Sequence, residues 1–431
     1  MLLIPLLALA IQPDLTFDPG PNPLLLQHPT INERQIVFQF AGDLWSVPRS
    51  GGDANRLTSS PGVESKPFFS PDGATVAFTG QYDGNTDVFI VPAGGGVPKR
   101  LTYHPSGDEV VGWTRDGKSV LFASAMLSNT DSPRMFTVNT SGGVPVALPF
   151  PEGTMADYSP DGQSLAYVPG FKWQDAWKRY RGGQAYAIWI ARMSDSKIYE
   201  IPRKGWNDFM PMWVGDKVYY LTDPKGPVGL FSYDIDSKRV AEVIPGNGFD
   251  IKSACAGPGA IVYEKLGSIH LYDLATKKSS RVSIDVRGDF PEVRPAFKTV
   301  GSSLTGVSIS PTGQRAVVSA RGWIFTVPAD KGDARLLNEQ QGVHRREPAW
   351  SPDAKTIAYV TDEAGKQQMA LHDTTTNKEK LVDLGDSPAY YSNPNWSPDS
   401  KSISYLDNRN QLWILEAASS KNTLVDQATY T

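Results

Sequence analysis

One short turn recurs along this chain and limits what it can fold into. It reads Ser70-Pro71-Asp72-Gly73, Thr114-Arg115-Asp116-Gly117 and Ser159-Pro160-Asp161-Gly162, then returns as Ser310-Pro311-Thr312-Gly313, Ser351-Pro352-Asp353-Ala354 and Ser397-Pro398-Asp399-Ser400. Weaker copies are Gly215-Asp216 and Gly257-Pro258-Gly259. Proline presets φ for a turn, while Asp and Gly accept left-handed geometry. A β-rich run follows the turns, such as Thr75-Val76-Ala77-Phe78 or Thr356-Ile357-Ala358-Tyr359, and aromatic steps such as Phe68-Phe69, Trp350 and Trp396 precede several. Strand, tight turn, strand is a hairpin.

A second pattern follows each hairpin. Asp43-Leu44-Trp45-Ser46-Val47-Pro48 recurs as Asp87-Val88-Phe89-Ile90-Val91-Pro92 and Trp323-Ile324-Phe325-Thr326-Val327-Pro328, alternating as a half-buried strand does. Its central position falls at 45, 89, 136, 189, 231, 270, 325, 370 and 413. A Gly-rich turn and an outer strand come next, as in Gly94–Gly96 and Lys99-Arg100-Leu101-Thr102. Four strands in about 40–45 residues is the length of a propeller blade. The long step from 270 to 325 holds Asp285–Leu304, and the one from 136 to 189 holds an insertion, Gly170–Gly183. The fold expected is all-β: a six-bladed β-propeller followed by three blades of a second, incomplete propeller. The predicted layout is a lead at 1–27, six blades at 28–284, a linker at 285–304 and three blades at 305–431. Leu24–Ile31 supplies an inner strand to blade one and blade six has four strands of its own. No strand is left to exchange, so the ring is expected to close by packing alone.

Composition excludes several chemistries. Lys+Arg 42 against Asp+Glu 46 leaves no basic footprint for nucleic acid. The single cysteine, Cys255, rules out a disulfide framework and paired-cysteine zinc sites, and it is expected as a small buried apolar residue. None of the five histidines is spaced as HExxH, and the Asp residues of the turns are turn formers in separate blades, so neither metal nor cofactor is predicted. No Gly-x-Ser-x-Gly elbow occurs, and Gly246-Asn247-Gly248 lacks the third glycine of a dinucleotide fingerprint. No catalytic residue is assigned. Met1–Ile11 is an apolar run too short to span a bilayer, and Ala8-Leu9-Ala10 has the small-x-small form of a secretory cleavage site, although no Lys or Arg precedes Arg34. The expected location is exported or periplasmic, with the cytoplasm as the alternative. Residues 12–27 read as a Pro-rich lead.

The insertion carries the most specific motif. Trp177-Lys178-Arg179-Tyr180-Arg181-Gly182-Gly183, followed by Ala187-Ile188-Trp189-Ile190, is similar to the Trp-Lys-x-Tyr-Arg-Gly-Gly segment in the six-bladed propeller of tricorn proteases. Asp43-Leu44-Trp45, Phe69–Gly73 and Gly267-Ser268-Ile269 match that family's order as well. The resemblance implies the propeller region of a large, oligomeric serine peptidase that degrades oligopeptides. There a six-bladed and a seven-bladed ring precede a PDZ-like domain and the peptidase part. The seven-bladed ring is thought to admit peptides, and the six-bladed ring to guide products. The family's peptidase domains have no counterpart in these residues, so the chain is expected to be a fragment, inactive alone, whose partners are oligopeptides and those missing domains. The family's basic pair, in the loop after the second blade's outer strand, would fall at Tyr103–Val111. That stretch holds His104, Asp108 and Glu109 but no arginine.

Candidate substrate-binding residues are therefore Trp177, Arg179, Tyr180 and Arg181 in the insertion. Planar guanidinium groups suit peptide carboxylates. The same aromatics and cations would equally serve to pack the insertion onto its blade. Trp206-Asn207-Asp208-Phe209 is either a loop anchor or a channel-mouth segment. The alternative reading of the whole is an exported TolB-like propeller that serves as a protein-binding scaffold.

Overall fold

The structure, a computed structural model, describes residues 25–170, 178–195, 197–290, 297–385 and 389–428. The apolar run at the start of the chain and Trp177 of the insertion lie outside the described residues. The chain divides into two compact units, Met1–Val293 and Arg294–Thr431.

The first unit is a ring of six blades, five of them four-stranded and antiparallel and the first with a fifth strand added. The inner strands are Gln27–Ile31, Val63–Phe69, Asp108–Trp113, Met155–Tyr158, Asp208–Val214 and Ile251–Gly257, for blades one to six. Each touches the inner strand of the next, and that of blade six returns to blade one. Hairpin turns hold the inner strands to their partners as the motif demands. Ser70 donates from Oγ to Asp72 Oδ1 at 2.5 Å, and the Ala74 and Thr75 amides donate back to Asp72 Oδ1 and Ser70 Oγ. Gly73 closes the turn at φ +69, where a side chain would be strained. The same hydrogen bonds recur at Ser159/Asp161, Ser351/Asp353 and Ser397/Asp399. These hydroxyl and amide donors hold the carboxyls of Asp72, Asp161, Asp353 and Asp399 below their usual range.

The third strands carry the large side chains between blades. Trp45, Phe89 and Phe136 are buried, packed among Ile36, Phe38, Val88 and Phe122. Burial of such aromatics is the chief favourable term, at about 25 cal/mol per Å² of apolar surface. Polar side chains stitch neighbouring blades at the turn end: Asn32 Nδ2 donates to Gly73 O at 2.9 Å, and Arg49 donates to Pro258 O at 2.8 Å.

Closure differs from the sequence expectation. Ile284–Val286, the first residues after blade six, pair in parallel with the outer strand of blade one, Ile284 opposite Gly52 and Val286 opposite Ala54. Blade one therefore has five strands, and the ring closes through a strand from beyond its last blade rather than by packing alone. Gly52 N donates to Ser283 O at 2.9 Å, and a Cβ on Gly51 would stand 2.3 Å from that oxygen. Only glycine lets the two backbones approach so closely.

The second unit is a row of three four-stranded blades, whose inner strands are Leu304–Ile309, Arg345–Trp350 and Tyr391–Trp396. Its core runs from Val317 and Ile324 through Tyr359 and Met369 to Tyr405 and Leu415. Leu304, Val307 and Ile309 on the first of these blades are exposed, as are Leu424 and Val425 on the last. Among the described residues, no helix is long and apolar enough to cross a membrane.

Candidate functional site

A cavity of about 1320 Å³ occupies the axis of the six-bladed ring. All six inner strands line it, from His28, Lys66 and Met210 to the turns at Asn32 and Gly73. What faces this space follows from a local irregularity in the strands. Proline has no amide to donate to a ladder, so a strand that carries it must bulge. Pairing skips between Gln27 and Thr30, between Ser65 and Phe68, and between Phe209 and Met212. The bulges hold His28-Pro29, Lys66-Pro67 and Met210-Pro211, and the residue before each proline lies at positive φ: 46, 50 and 51. That conformation is strained for a side-chain-bearing residue and persists only where its surroundings impose it. Glu347-Pro348 and Asn393-Pro394 repeat it in the second unit, both at φ 54.

The cavity wall is chemically two-sided. His28, Lys66 and Glu109 stand on blades one, two and three. Lys66 Nζ meets Glu109 Oε2 at 2.5 Å, with both side chains part-exposed to the channel. Burial, and next the Lys66 ammonium, push the His28 imidazole down to about 4, against the pull of Glu109, so it is neutral at pH 7. Blades four and five, opposite one and two in a six-membered ring, present Met155, Met210 and Met212. Cys255 of blade six lies in the wall, its Sγ 3.4 Å from Thr30 Oγ1, with the thiol pushed up to about 11 by burial. At the turn end, Asp157 accepts from Arg115 at 2.9 Å and from the Trp213 amide at 2.7 Å, which joins blades three, four and five.

Carboxyls are also buried where the inner strands begin. Glu64 and Asp208 are wholly buried, and burial raises both to about 7. Glu64 accepts from Thr58 Oγ1 at 2.9 Å and from the Tyr82 hydroxyl. Asp108, also wholly buried, opens the inner strand of blade three. The stretch Tyr103–Val111 thus contributes Glu109 to the channel, while the His104 ring accepts from the Ser106 amide in its own loop.

The cations of the insertion are engaged with acids on later blades. Arg181 donates to Asp223 Oδ2 at 3.0 Å and to Asp223 O at 2.9 Å. Arg179 donates to Gly226 O at 2.8 Å and pairs with Asp250, as does Lys178 at 3.0 Å. Asn207 Nδ2 donates to Tyr180 O and to Asp223 Oδ2, and its own amide donates to Asp223 Oδ1. Asn207 is therefore the anchor of the insertion, and Tyr180 is held through its backbone. Neither arginine lines the channel, and neither does Tyr180. His28, Lys66 and Met210 were not singled out from the sequence, although the recurring Xaa-Pro in the inner strands marks all three; Glu109 was named only in the stretch that lacks the family's basic pair.

Among the described residues no group of three metal-ligating side chains comes together, and no histidine ring bonds to a serine or cysteine side chain. The axial cavity presents a chemically two-sided surface.

Residues 23–278 match the family model for the tricorn protease N-terminal β-propeller domain. The chain belongs to that family. The tricorn protease homolog 1 of Streptomyces coelicolor is 28% identical over 372 residues, covering 82% of this chain and 34% of its own length. The tricorn protease homolog of Saccharolobus solfataricus is 25% identical over 417 residues, covering 94% of this chain and 37% of its own. The chain thus spans little more than a third of these tricorn relatives. A crystal structure of the tricorn protease superposes with a TM-score of 0.65 at 19% identity, over 95% of this chain and 40% of that one, a likeness of fold.

Proposed function

We propose that this chain is the non-catalytic propeller region of a tricorn-like serine peptidase, and that its six-bladed ring holds and conducts oligopeptides along the axis. The observation that carries this reading is the axial cavity of about 1320 Å³, lined by every inner strand of the ring. Its width is set by side chains on rigid strands, as suits a passage of fixed bore. Apolar Met155, Met210 and Met212 on one side, with hydrogen-bonding groups on the other, match an extended peptide, whose side chains and backbone amides alternate. Partners under this reading are oligopeptides and the peptidase and PDZ-like parts of the parent protein. Arg179 and Arg181 act as a clasp that positions the insertion across blades five and six rather than as ligands to a peptide carboxylate.

Two measurements test it. Calorimetric titration of blocked tetrapeptides into the purified chain should show saturable binding, weakened by filling the bore with Cys255→Trp. Peptidase activity of the same chain should stay at background. Activity lost on substitution of one serine would overturn the non-catalytic assignment.

A further inference from the structure

The channel reading leaves open which peptides suit the bore, and the proline bulges bear on that. In blades one, two and five the same bulge position is filled by residues of unlike chemistry, His28, Lys66 and Met210, at nearly the same φ. Backbone geometry there is imposed by the proline and the skipped pairing, so the side chain is free to differ while the aim is kept. In the second unit the same position reaches the next blade: Glu347 Oε2 accepts from the Asn393 amide at 2.6 Å. In the ring, Lys66 reaches Glu109 on blade three.

We infer that the residue before the inner-strand proline is the selectivity position of blades one, two and five, and that His28, the Lys66–Glu109 pair and Met210 together favour peptide segments with uncharged, apolar side chains. The inference rests on the reading of the ring as a peptide channel. The charges of Lys66 and Glu109 cancel at contact distance, so the wall offers no net charge at this level. A charged ligand side chain must open that pair and give up its own hydration, whereas an apolar one meets Met210 and Met155 across the bore at no such cost. Removing one member of the pair leaves its partner uncompensated and turns the preference toward the opposite charge.

The test uses acetyl-Ala-Leu-Ala-Ala-amide and its versions with Asp or Lys in place of Leu, titrated calorimetrically into the full chain. The unaltered protein should bind the Leu peptide most tightly. Lys66→Met should raise affinity for the Lys peptide about fivefold over that for the Asp peptide, and Glu109→Gln should do the reverse, as expected of a part-exposed charge pair. The double variant should return to the Leu preference. Melting temperature shows that each variant is folded. His104→Gln, a change in a loop away from the bulges, should leave all three affinities as they were. Unchanged affinity ratios in the single variants, with peptides still binding, would overturn the selectivity assignment and leave the channel intact. Binding of none of the three peptides by the unaltered protein would overturn the channel and this inference with it.

Discussion

Phe290 stacks on Trp45, ring centroids 5.6 Å apart and 29° between planes, with Phe40 edge-on to both. Arg56 lies over the two stacked rings, at 5.2 Å from Trp45 and 5.7 Å from Phe290. Trp45 belongs to blade one and Phe290 to the segment that leaves blade six, so this stack fastens the closing strand Ile284–Val286. A three-residue parallel pairing is weak alone, and the aromatic contact is what makes it a latch.

Phe290→Ala should therefore loosen the ring. A half-buried phenylalanine with two ring neighbours and a cation contact is worth about 2 kcal/mol, which corresponds to a fall of about 4–8 °C in the melting temperature. Differential scanning fluorimetry reads this directly. A ring whose melting is unmoved by Phe290→Ala closes by packing, as the sequence alone suggested.

The contribution of Glu64 to stability should fall as pH rises from about 4.5 to about 7, while His28, pushed down to about 4, acts in the opposite direction. Glu64 has its carboxyl raised from 4.5 to about 7 by burial, so the folded state holds a proton in this window that the unfolded chain has released. The contribution is fully present below 4.5 and lost as pH rises through 7; Asp208 adds in the same direction. Each group gives a slope of at most about 1.4 kcal/mol per pH unit. Glu64→Gln keeps the shape and removes one proton, so urea unfolding between pH 5 and 7 should show a slope of stability against pH shifted in the positive direction. An equal slope in the variant would place the titration elsewhere.

The insertion offers a test that separates a clasp from a ligand site. Asp223 accepts from Arg181 and twice from Asn207, and is almost wholly buried. Asp223→Ala should cost about 2–3 kcal/mol, because it strands the buried Asn207 amide. Arg181→Gln should cost less, since its partner Asp223 keeps Asn207. In urea melts the double variant should be no worse than Asp223→Ala. Peptide affinity that falls tenfold in Arg181→Gln with stability unchanged would instead make Arg181 a ligand.

Ala354 marks a departure from the turn motif that can be repaired. It sits at φ +63, where Gly73 and Gly162 sit in their own turns at +69 and +70. Ala354→Gly should stabilise the second unit by about 0.5–1 kcal/mol, the left-handed strain relieved less the added chain entropy. Chemical denaturation followed by the fluorescence of Trp350 and Trp396 reports on that unit.

Much of this fold was legible because the repeat is local. Ser70 to Gly73 and Asp43 to Pro48 name a turn and a strand through residues adjacent in the chain, and their recurrence sets the blades. The closing strand was not legible: Ile284–Val286 is three residues long and pairs in parallel with a strand over 200 residues earlier, so no hairpin turn announces it. The lining of the axial cavity was half visible. Proline inside a strand reads as a break, yet His28-Pro29, Lys66-Pro67 and Met210-Pro211 are bulges that turn side chains toward the axis. The pairing of Arg179 with Asp250 and of Arg181 with Asp223 was not legible, because those acids lie on later blades that only the folded ring brings near.

Cys255 gives the most direct test of the channel. It is the chain's single cysteine and lies in the wall of the axial cavity. Its rate of modification by methyl methanethiosulfonate should fall about tenfold when acetyl-Ala-Leu-Ala-Ala-amide is present at ten times its dissociation constant, because an occupied bore excludes the reagent. An unchanged rate at a peptide concentration shown calorimetrically to saturate the protein would place the peptide elsewhere and contradict the axial channel.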